Sequence, residues 1–275
     1  IDDDKYTYIG TSAFDSCRSL QRVRFNKATQ AGGFYCCYSL TEAHFPAAAP
    51  SSNDNFQSCS ALTSVTYGQP GGILDRNHFY DCSSLTSLVC SPSIVSGYAL
   101  YRCYKLTSLD LTNVSLIYAS AFDACGLKSI NLPLISAVPT DAFNGCRVEY
   151  LSLPNASGTL ASYACAHTAY LKSVYIPKIT TLSASCFYNS GLSEIDLPAV
   201  TTLSTRCFAN CKSLAKVVIH TSNCMLWNSS VFESTPIRLS SYLGYYGSVY
   251  VPAQYLEAYK TKSDWSKISA RLVGY

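Results

Sequence analysis

The sequence is poor in charged residues, which make up only 13% of its 275 positions, about half the usual share of a soluble domain. Lys and Arg exceed Asp and Glu by three, too small an excess to favour a nucleic-acid partner, and no basic run or nucleic-acid-binding motif accompanies it. Because 48% of the residues are hydrophobic, the composition also excludes a disordered chain, which cannot bury enough apolar surface to offset its entropy.

Long apolar runs are missing as well. A membrane-spanning helix needs about 20 mainly apolar residues, and the uncharged stretch from Cys82 to Tyr101 is broken by serines, Pro92 and Gly97. We therefore predict no membrane insertion. The first residues, Ile1 to Lys5, have neither the basic nor the apolar region of a secretory signal peptide. We interpret residues 1–8 as an N-terminal extension, either the remnant of a cleavable tag or the cut edge of a longer protein.

Motifs of catalytic and cofactor sites are also absent. The fourteen cysteines form no C-x-x-C pair, and the four histidines have no metal-ligand spacing. A carboxylate pair, Glu194 and Asp196, lies two residues apart on a predicted strand, which places the side chains about 6–7 Å apart and is compatible with glycosidase chemistry. We interpret this pair as part of a solvated strand face. The sequence thus predicts no enzyme activity, no catalytic residue, no cofactor and no metal.

What the sequence does contain is a repeat. A phenylalanine is followed three residues later by cysteine and then by an apolar run, most clearly from Phe14, Phe56, Phe79 and Phe208. Weaker copies are predicted at six further positions: Phe34, Leu100, Phe122, Phe143, Ala164 and Phe187. The mean spacing of these ten anchors is about 22 residues, within the range of leucine-rich repeats.

Each anchor precedes an L-x-x-L-x-L pattern, as in Leu106 to Leu111, Leu127 to Leu132 and Leu192 to Leu197. Alternation with period 2 predicts a strand with its apolar residues inside. Since one repeat cannot bury its apolar side alone, the repeats should stack. We therefore predict an α/β-type leucine-rich repeat solenoid with a parallel β-sheet on one face, loops and short helical turns on the other, and a C-terminal strand–helix cap.

Cysteine recurs at one repeat position, in eight of the fourteen cases. A small thiol packed in a column explains that period, and we expect these thiols to be buried and free, although neighbouring copies would be close enough for occasional disulfides. His167, Ser190 and Thr235 are predicted to stand at this position in the repeats that lack the cysteine.

The unit Ala-Phe-x-x-Cys-x-x-Leu-x-x-Ile-x-Leu-Pro resembles the BspA-like leucine-rich repeat family, and the segment Gly247 to Trp265 is similar to the C-terminal cap of that family. The resemblance covers residues 9–275. It implies non-catalytic surface proteins of anaerobic bacteria and some protists, linked to adhesion or host contact, with members in prophage regions. We accordingly expect a solenoid over residues 9–236, a cap over 237–275, and an extracellular, cell-surface or virion-associated location.

Two functions fit this architecture. The preferred one is a binding or adhesion module that presents its outward strand positions to a protein or glycan partner. Serines dominate the middle of these outward columns, so the predicted partner-binding residues lie toward the two ends: Arg22, Arg24, Glu42 and His44, and Tyr150, Tyr175, Glu194 and Asp196. The alternative is a structural spacer or a tail component of a bacterial surface or prophage assembly.

Overall fold

The computed structural model describes residues 1–52, 55–238 and 246–275. The chain divides into two compact units, Ile1–Leu134 and Ile135–Tyr275. Each unit consists of stacked coils in which one coil is one predicted repeat, and parallel strands of successive coils pair in register. The predicted leucine-rich repeat solenoid is therefore confirmed in both units.

The first ladder of unit 1 contains four paired parallel strands: β1 (Arg22–Arg24), β2 (Glu42–Phe45), β3 (Ser64–Tyr67) and, later in the chain, β5 (Ser87–Val89). The second residue of each strand is buried, and the residues on either side of it face outward. A second parallel ladder joins β4 (Ile73–Leu74), β6 (Ile94–Val95) and β7 (Leu116–Ile117). One further strand, β8 (Ser129–Asn131), lies near the end of the unit.

Unit 2 repeats this arrangement. Its first-ladder strands are β9 (Tyr150–Ser152), β11 (Ser173–Tyr175), β13 (Glu194–Leu197), β15 (Lys216–Ile219), β17 (Ser248–Val251) and β18 (Leu272–Gly274). Its second ladder joins β10 (Ser157–Leu160), β12 (Lys178–Leu182), β14 (Thr202–Leu203) and β16 (Met225–Leu226). The face opposite the first ladder was expected to consist of loops and short helical turns. In both units it carries the short parallel strands of the second ladder.

The anchor phenylalanines form a stack inside each unit. In unit 1 the ring centroids of Phe34 and Phe56 are 5.0 Å apart and nearly parallel, and those of Phe56 and Phe79 are 5.4 Å apart. In unit 2, Phe187, Phe208 and Phe232 stack in the same way at 5.6 and 5.8 Å. Offset-stacked aromatic pairs add about 0.5–1.5 kcal/mol each beyond the area that they bury.

The repeated thiols follow the aromatic stack and donate hydrogen bonds along it. The thiol of Cys59 donates to the carbonyl of Phe34 in the preceding coil at 3.0 Å, and that of Cys82 donates to Phe56 in the same way. Cys211 continues the pattern in unit 2. Burial raises the pKa of Cys82 and of Cys103 well above the ordinary thiol value, so these groups stay protonated as S–H donors.

Around most anchors the turns use left-handed backbone two residues before and two residues after the anchor, with φ mostly near +55° to +60°. Ser185 and Asn189 show this around Phe187. The strain of a non-glycine residue at such an angle costs about 1–2 kcal/mol. It is offset because the backbone N–H groups bond to the next coil, as from Asn189 to Ala209 at 2.9 Å.

Two predictions about single repeats are wrong. Cys165, and not Ala164, occupies the anchor position, because its N–H bonds to the next coil as an anchor N–H does and residues 163 and 167 have the flanking left-handed backbone. The thiol position of that repeat therefore belongs to buried Thr168, whose hydroxyl donates to the Cys165 carbonyl at 2.7 Å, while His167 is an exposed turn residue.

The second error concerns the strand predicted at Leu106 to Leu111, where the structure assigns no strand. The carboxylate of Asp110 accepts hydrogen bonds from the Thr112 backbone N–H and hydroxyl and from the Ser91 hydroxyl, and these bonds hold the Asp110 pKa below its usual value. Such local side-chain bonds compete with ladder pairing. A cavity of about 470 Å³ lies between β5 and this segment.

The C-terminal cap begins with β17 and continues through a short helix α1 (Leu256–Thr261) and a 3₁₀ segment, Trp265–Arg271. Tyr259 and Trp265 are buried. The Tyr259 hydroxyl accepts from the Cys224 N–H at 2.9 Å, and the Trp265 indole N–H donates to the Cys224 carbonyl at 2.8 Å. These bonds give partners to the backbone N–H and carbonyl of Cys224, at the end of the second ladder. The predicted strand–helix cap is therefore confirmed. Within the described residues, no helix is long and apolar enough to cross a membrane.

Candidate functional site

Exposed tyrosines mark the strand face of unit 2. Tyr150 on β9 and Tyr175 on β11 have 53% and 56% of their surface exposed. Each lies opposite a serine of the neighbouring strand, Tyr150 beside Ser173 and Tyr175 beside Ser152. The two rings therefore do not pack against each other across the ladder, and both are free to contact a partner.

Charged side chains surround these tyrosines in pairs that cross between coils. The ammonium of Lys172 bonds the Glu149 carboxylate at 2.6 Å and lies 5.9 Å from the Tyr150 ring centroid. Its hydrogen bond to Glu149 raises the pKa of Lys172. On the next strands, Glu194 pairs with Lys216 at 3.5 Å. Exposed pairs of this kind stabilise the fold little. Their main effect is to set the distribution of positive and negative charge on this face.

Asp196 belongs to a longer chain of contacts. Its carboxylate lies 2.6 Å from Nε2 of His220, and Nδ1 of the same ring lies 2.9 Å from the Tyr275 hydroxyl. Partial burial, and secondarily the charge of Asp196, raise the pKa of Tyr275. Residues from β13, from the end of β15 and from the segment after β18 are thereby held together at one edge of the strand face.

A shallow cavity opens in this face where hydrogen bonding between the strands is interrupted. β9 and β11 form one sheet and β13, β15, β17 and β18 another. The cavity between β11 and β13 measures about 320 Å³ and is lined by Lys172, Glu194, Asp196 and Lys216, among others. Its lining carries both signs of charge, which suits a polar partner.

The second predicted group lies in unit 1, on β1 and β2. Arg22, whose side chain is largely exposed, pairs with half-buried Glu42 at 3.9 Å, and Arg24 lies opposite His44 in the ladder. The backbone N–H of Arg24 donates to the carbonyl of Ile1, and Asp2 forms a parallel bridge to Arg24. The first residues of the chain thus border a cavity of about 400 Å³ with Arg22 and Arg24.

The two carboxylates of the pair predicted on one strand both have basic neighbours. Glu194 and Asp196 each face a basic side chain of the following coil, so neither is directed alone into the cavity as an acid or a nucleophile. No group of three or more His, Cys, Asp or Glu side chains suited to a metal ion occurs among the described residues. Most of the cysteine side chains are buried.

Sequence reasoning missed His220 and Tyr275 as members of this face. They are 55 positions apart, and no motif links them. The signal for His220 was its place directly after β15, where alternation from Lys216 and Val218 directs a side chain outward.

Comparisons with known proteins agree with the observed architecture. The family model described as BspA type Leucine rich repeat region (6 copies) matches residues 2–91, 31–146 and 136–243. A search of curated proteins finds no match. Among solved structures, a leucine-rich repeat protein from Bacteroides ovatus is similar with a TM-score of 0.59 and 19% identity, over 89% of this chain and 58% of that one.

This chain therefore spans little more than half the length of the Bacteroides ovatus protein, and at such low identity the likeness supports the fold alone. A leucine rich cell surface protein from Faecalibacterium prausnitzii aligns over 90% of this chain and 86% of its own at 16% identity. The TM-score of that alignment is 0.34.

Proposed function

The chain belongs to the BspA-type leucine-rich repeat family, and we propose from this premise that it is a non-catalytic binding or adhesion module whose strand face contacts a protein or glycan partner. Leucine-rich repeats generally bind proteins and are generally non-catalytic. The family resemblance also leads us to propose an extracellular or cell-surface location.

The observation that carries the proposal is the pair of exposed tyrosines on neighbouring strands of unit 2. Tyrosine provides a large contact area at a low entropy cost because it has few rotatable bonds, and a few aromatic or arginine anchors usually supply most of the energy of an interface. Glu194 and Asp196, beside the cavity, would select a basic or hydroxyl-rich partner. Arg22, Arg24, Glu42 and His44 are proposed as a second contact region in unit 1.

The experiment is a binding screen on a glycan array and on an array of purified extracellular proteins. Tyr150→Ala combined with Tyr175→Ala should lower the affinity for the captured ligand at least tenfold, since both aromatic contact residues are removed. The matched control is Tyr163→Ala combined with Tyr170→Ala, because these tyrosines are also exposed in unit 2 but lie off the strands. Circular dichroism verifies that both variants are folded.

Equal weakening by the two double variants would reject the strand face as the site. If the arrays yield no ligand for the wild-type protein, the spacer or tail-component function becomes the better hypothesis.

A further inference from the structure

The second ladder of unit 1 has an apolar outer column that the proposed function does not use. Ile73, Ile94 and Leu116 lie in register on β4, β6 and β7 with their side chains at the surface; Leu116 is 43% exposed. The corresponding column of unit 2 reads Thr159, Thr181, Thr202 and Met225. Since three of these four unit 2 residues are threonines, the coil does not require apolar residues at this position.

A cavity of about 540 Å³ lies on this column and is lined by Ile73, Ile94, Tyr98 and Tyr118, with Asp75 and Arg76 at its side. Its size and its apolar lining with a few polar groups are those of a binding site. Tyr118 is half exposed. The Tyr98 ring packs edge-on against Tyr101 at 5.7 Å, and Tyr101 stacks on Tyr80 at 4.7 Å. These contacts fix the orientation of Tyr98 in the unbound protein.

Arg76 gives the cavity its charge preference. Its guanidinium lies 5.9 Å from the Tyr98 ring centroid and forms no ion pair within the described part of the chain. The neighbouring Asp75 carboxylate is engaged by the Arg76 backbone N–H at 2.7 Å. An exposed guanidinium beside an apolar cavity is complementary to a carboxylate that stands next to an apolar side chain, because arginine binds carboxylates with paired hydrogen bonds.

We propose that this cavity is a second binding site, which takes a segment of a partner protein that inserts an apolar side chain and places an acidic residue against Arg76. Exposed apolar patches bordered by polar groups are typical of protein–protein contacts. The site is independent of the strand face of unit 2 and does not require that the tyrosines there bind anything.

The test uses two panels of fluorescein-labelled 12-residue peptides and fluorescence anisotropy with the full chain. In the first panel a central Leu, Phe or Trp is flanked by Asp and Glu; in the second the acidic residues are replaced by Lys. We expect the best acidic peptides to bind at least tenfold more tightly than their Lys counterparts. Arg76→Glu should reverse the preference, so that the Lys peptides bind more tightly than the acidic ones. Ile94→Asp should lower the affinity for the acidic peptides at least tenfold.

Met225→Asp is the matched control, since Met225 occupies the same column in unit 2, and it should leave peptide binding unchanged, as should Tyr150→Ala with Tyr175→Ala. Should Ile94→Asp fail to fold, Tyr118→Ala replaces it. The proposal is overturned if neither panel binds or if the acidic preference survives Arg76→Glu. It is equally overturned if a neutral oligosaccharide, and no peptide, binds in a manner lost with Tyr118→Ala, which would assign the cavity to a glycan.

Discussion

Acid should destabilise this protein through one buried histidine. His78 is 1% exposed and packs beside Phe79, with ring centroids 4.6 Å apart. Its Nε2 lies 3.1 Å from the Tyr67 hydroxyl, and its Nδ1 accepts the Asp75 backbone N–H at 3.4 Å. A proton on Nδ1 would remove that acceptor and place a charge in apolar surroundings. Burial accordingly lowers the pKa of His78 from 6.5 to about 3.

The sign and size of the effect follow from proton linkage. Between pH 6.5 and pH 3 the unfolded chain binds one more proton at this residue than the folded chain, so the free energy of unfolding falls as the pH falls through this window. Each pH unit is worth about 1.4 kcal/mol. From pH 7 to pH 4.5, His78 should therefore remove about 2.5 kcal/mol from the stability of the wild-type protein.

The assay is urea unfolding of the wild type and of His78→Gln at pH 7.0, 6.0, 5.0 and 4.5. Glutamine can still bond to Tyr67 but does not titrate, so it isolates the histidine from the carboxylates that both proteins share. The stability of the wild type should fall by about 2.5 kcal/mol more than that of the variant over this range. Parallel pH profiles for the two proteins would refute the reasoning.

Three further predictions test the stacked coils. Phe122→Ala should cost about 3–5 kcal/mol of unfolding free energy in chemical denaturation, and exposed Ser129→Ala under about 0.5 kcal/mol; equal, small effects would contradict the internal stack. Thiol labelling of the native protein should modify Cys17 and Cys36 and spare the buried thiols, whereas denaturant without reductant should expose nearly all of them; release of few thiols would indicate disulfides. Gly191→Ala should lower the melting temperature far more than Gly10→Ala, since the added carbon would lie 2.2 Å from the Ala169 carbonyl oxygen in the first case and 3.9 Å from its nearest neighbour in the second; equal melting temperatures would disprove the close approach of these coils.

The first ladder could be read from the sequence because its strands show period-2 alternation at a fixed repeat position. Arg22 and Glu42, both predicted to face outward, pair with each other, and the same column continues through Ser64 and Ser87. The second ladder escaped prediction because five of its seven strands have two residues, too few for alternation to be recognised. The two longer strands, β10 and β12, pair through a register shift at Gly158, which interrupts the alternation.

The remaining errors arise where a single residue departs from the repeat pattern and changes the local structure or the alignment of the repeat. Asp110 accepts local hydrogen bonds that replace a strand, and Cys165 fills an anchor position in which no aromatic residue reveals the frame of the repeat. The candidate sites were harder to predict than the fold. Exposure of Tyr150 and Tyr175 followed from alternation, but the contact of His220 with Tyr275 and the cavity beside Arg76 depend on how separate coils stack.

The column of thiols has a consequence for biogenesis. In the folded chain the buried S–H groups of Cys59, Cys82, Cys103 and Cys211 donate to the coil before them, so oxidants meet protonated and inaccessible groups. The newly made chain has no such protection, and its fourteen cysteines could pair in many wrong ways in an oxidising compartment. Productive folding then requires that the coils bury their cysteines faster than disulfide bonds form. The proposed cell-surface location would therefore favour rapid, coil-by-coil folding, or a chaperone that keeps the chain reduced until folding is complete.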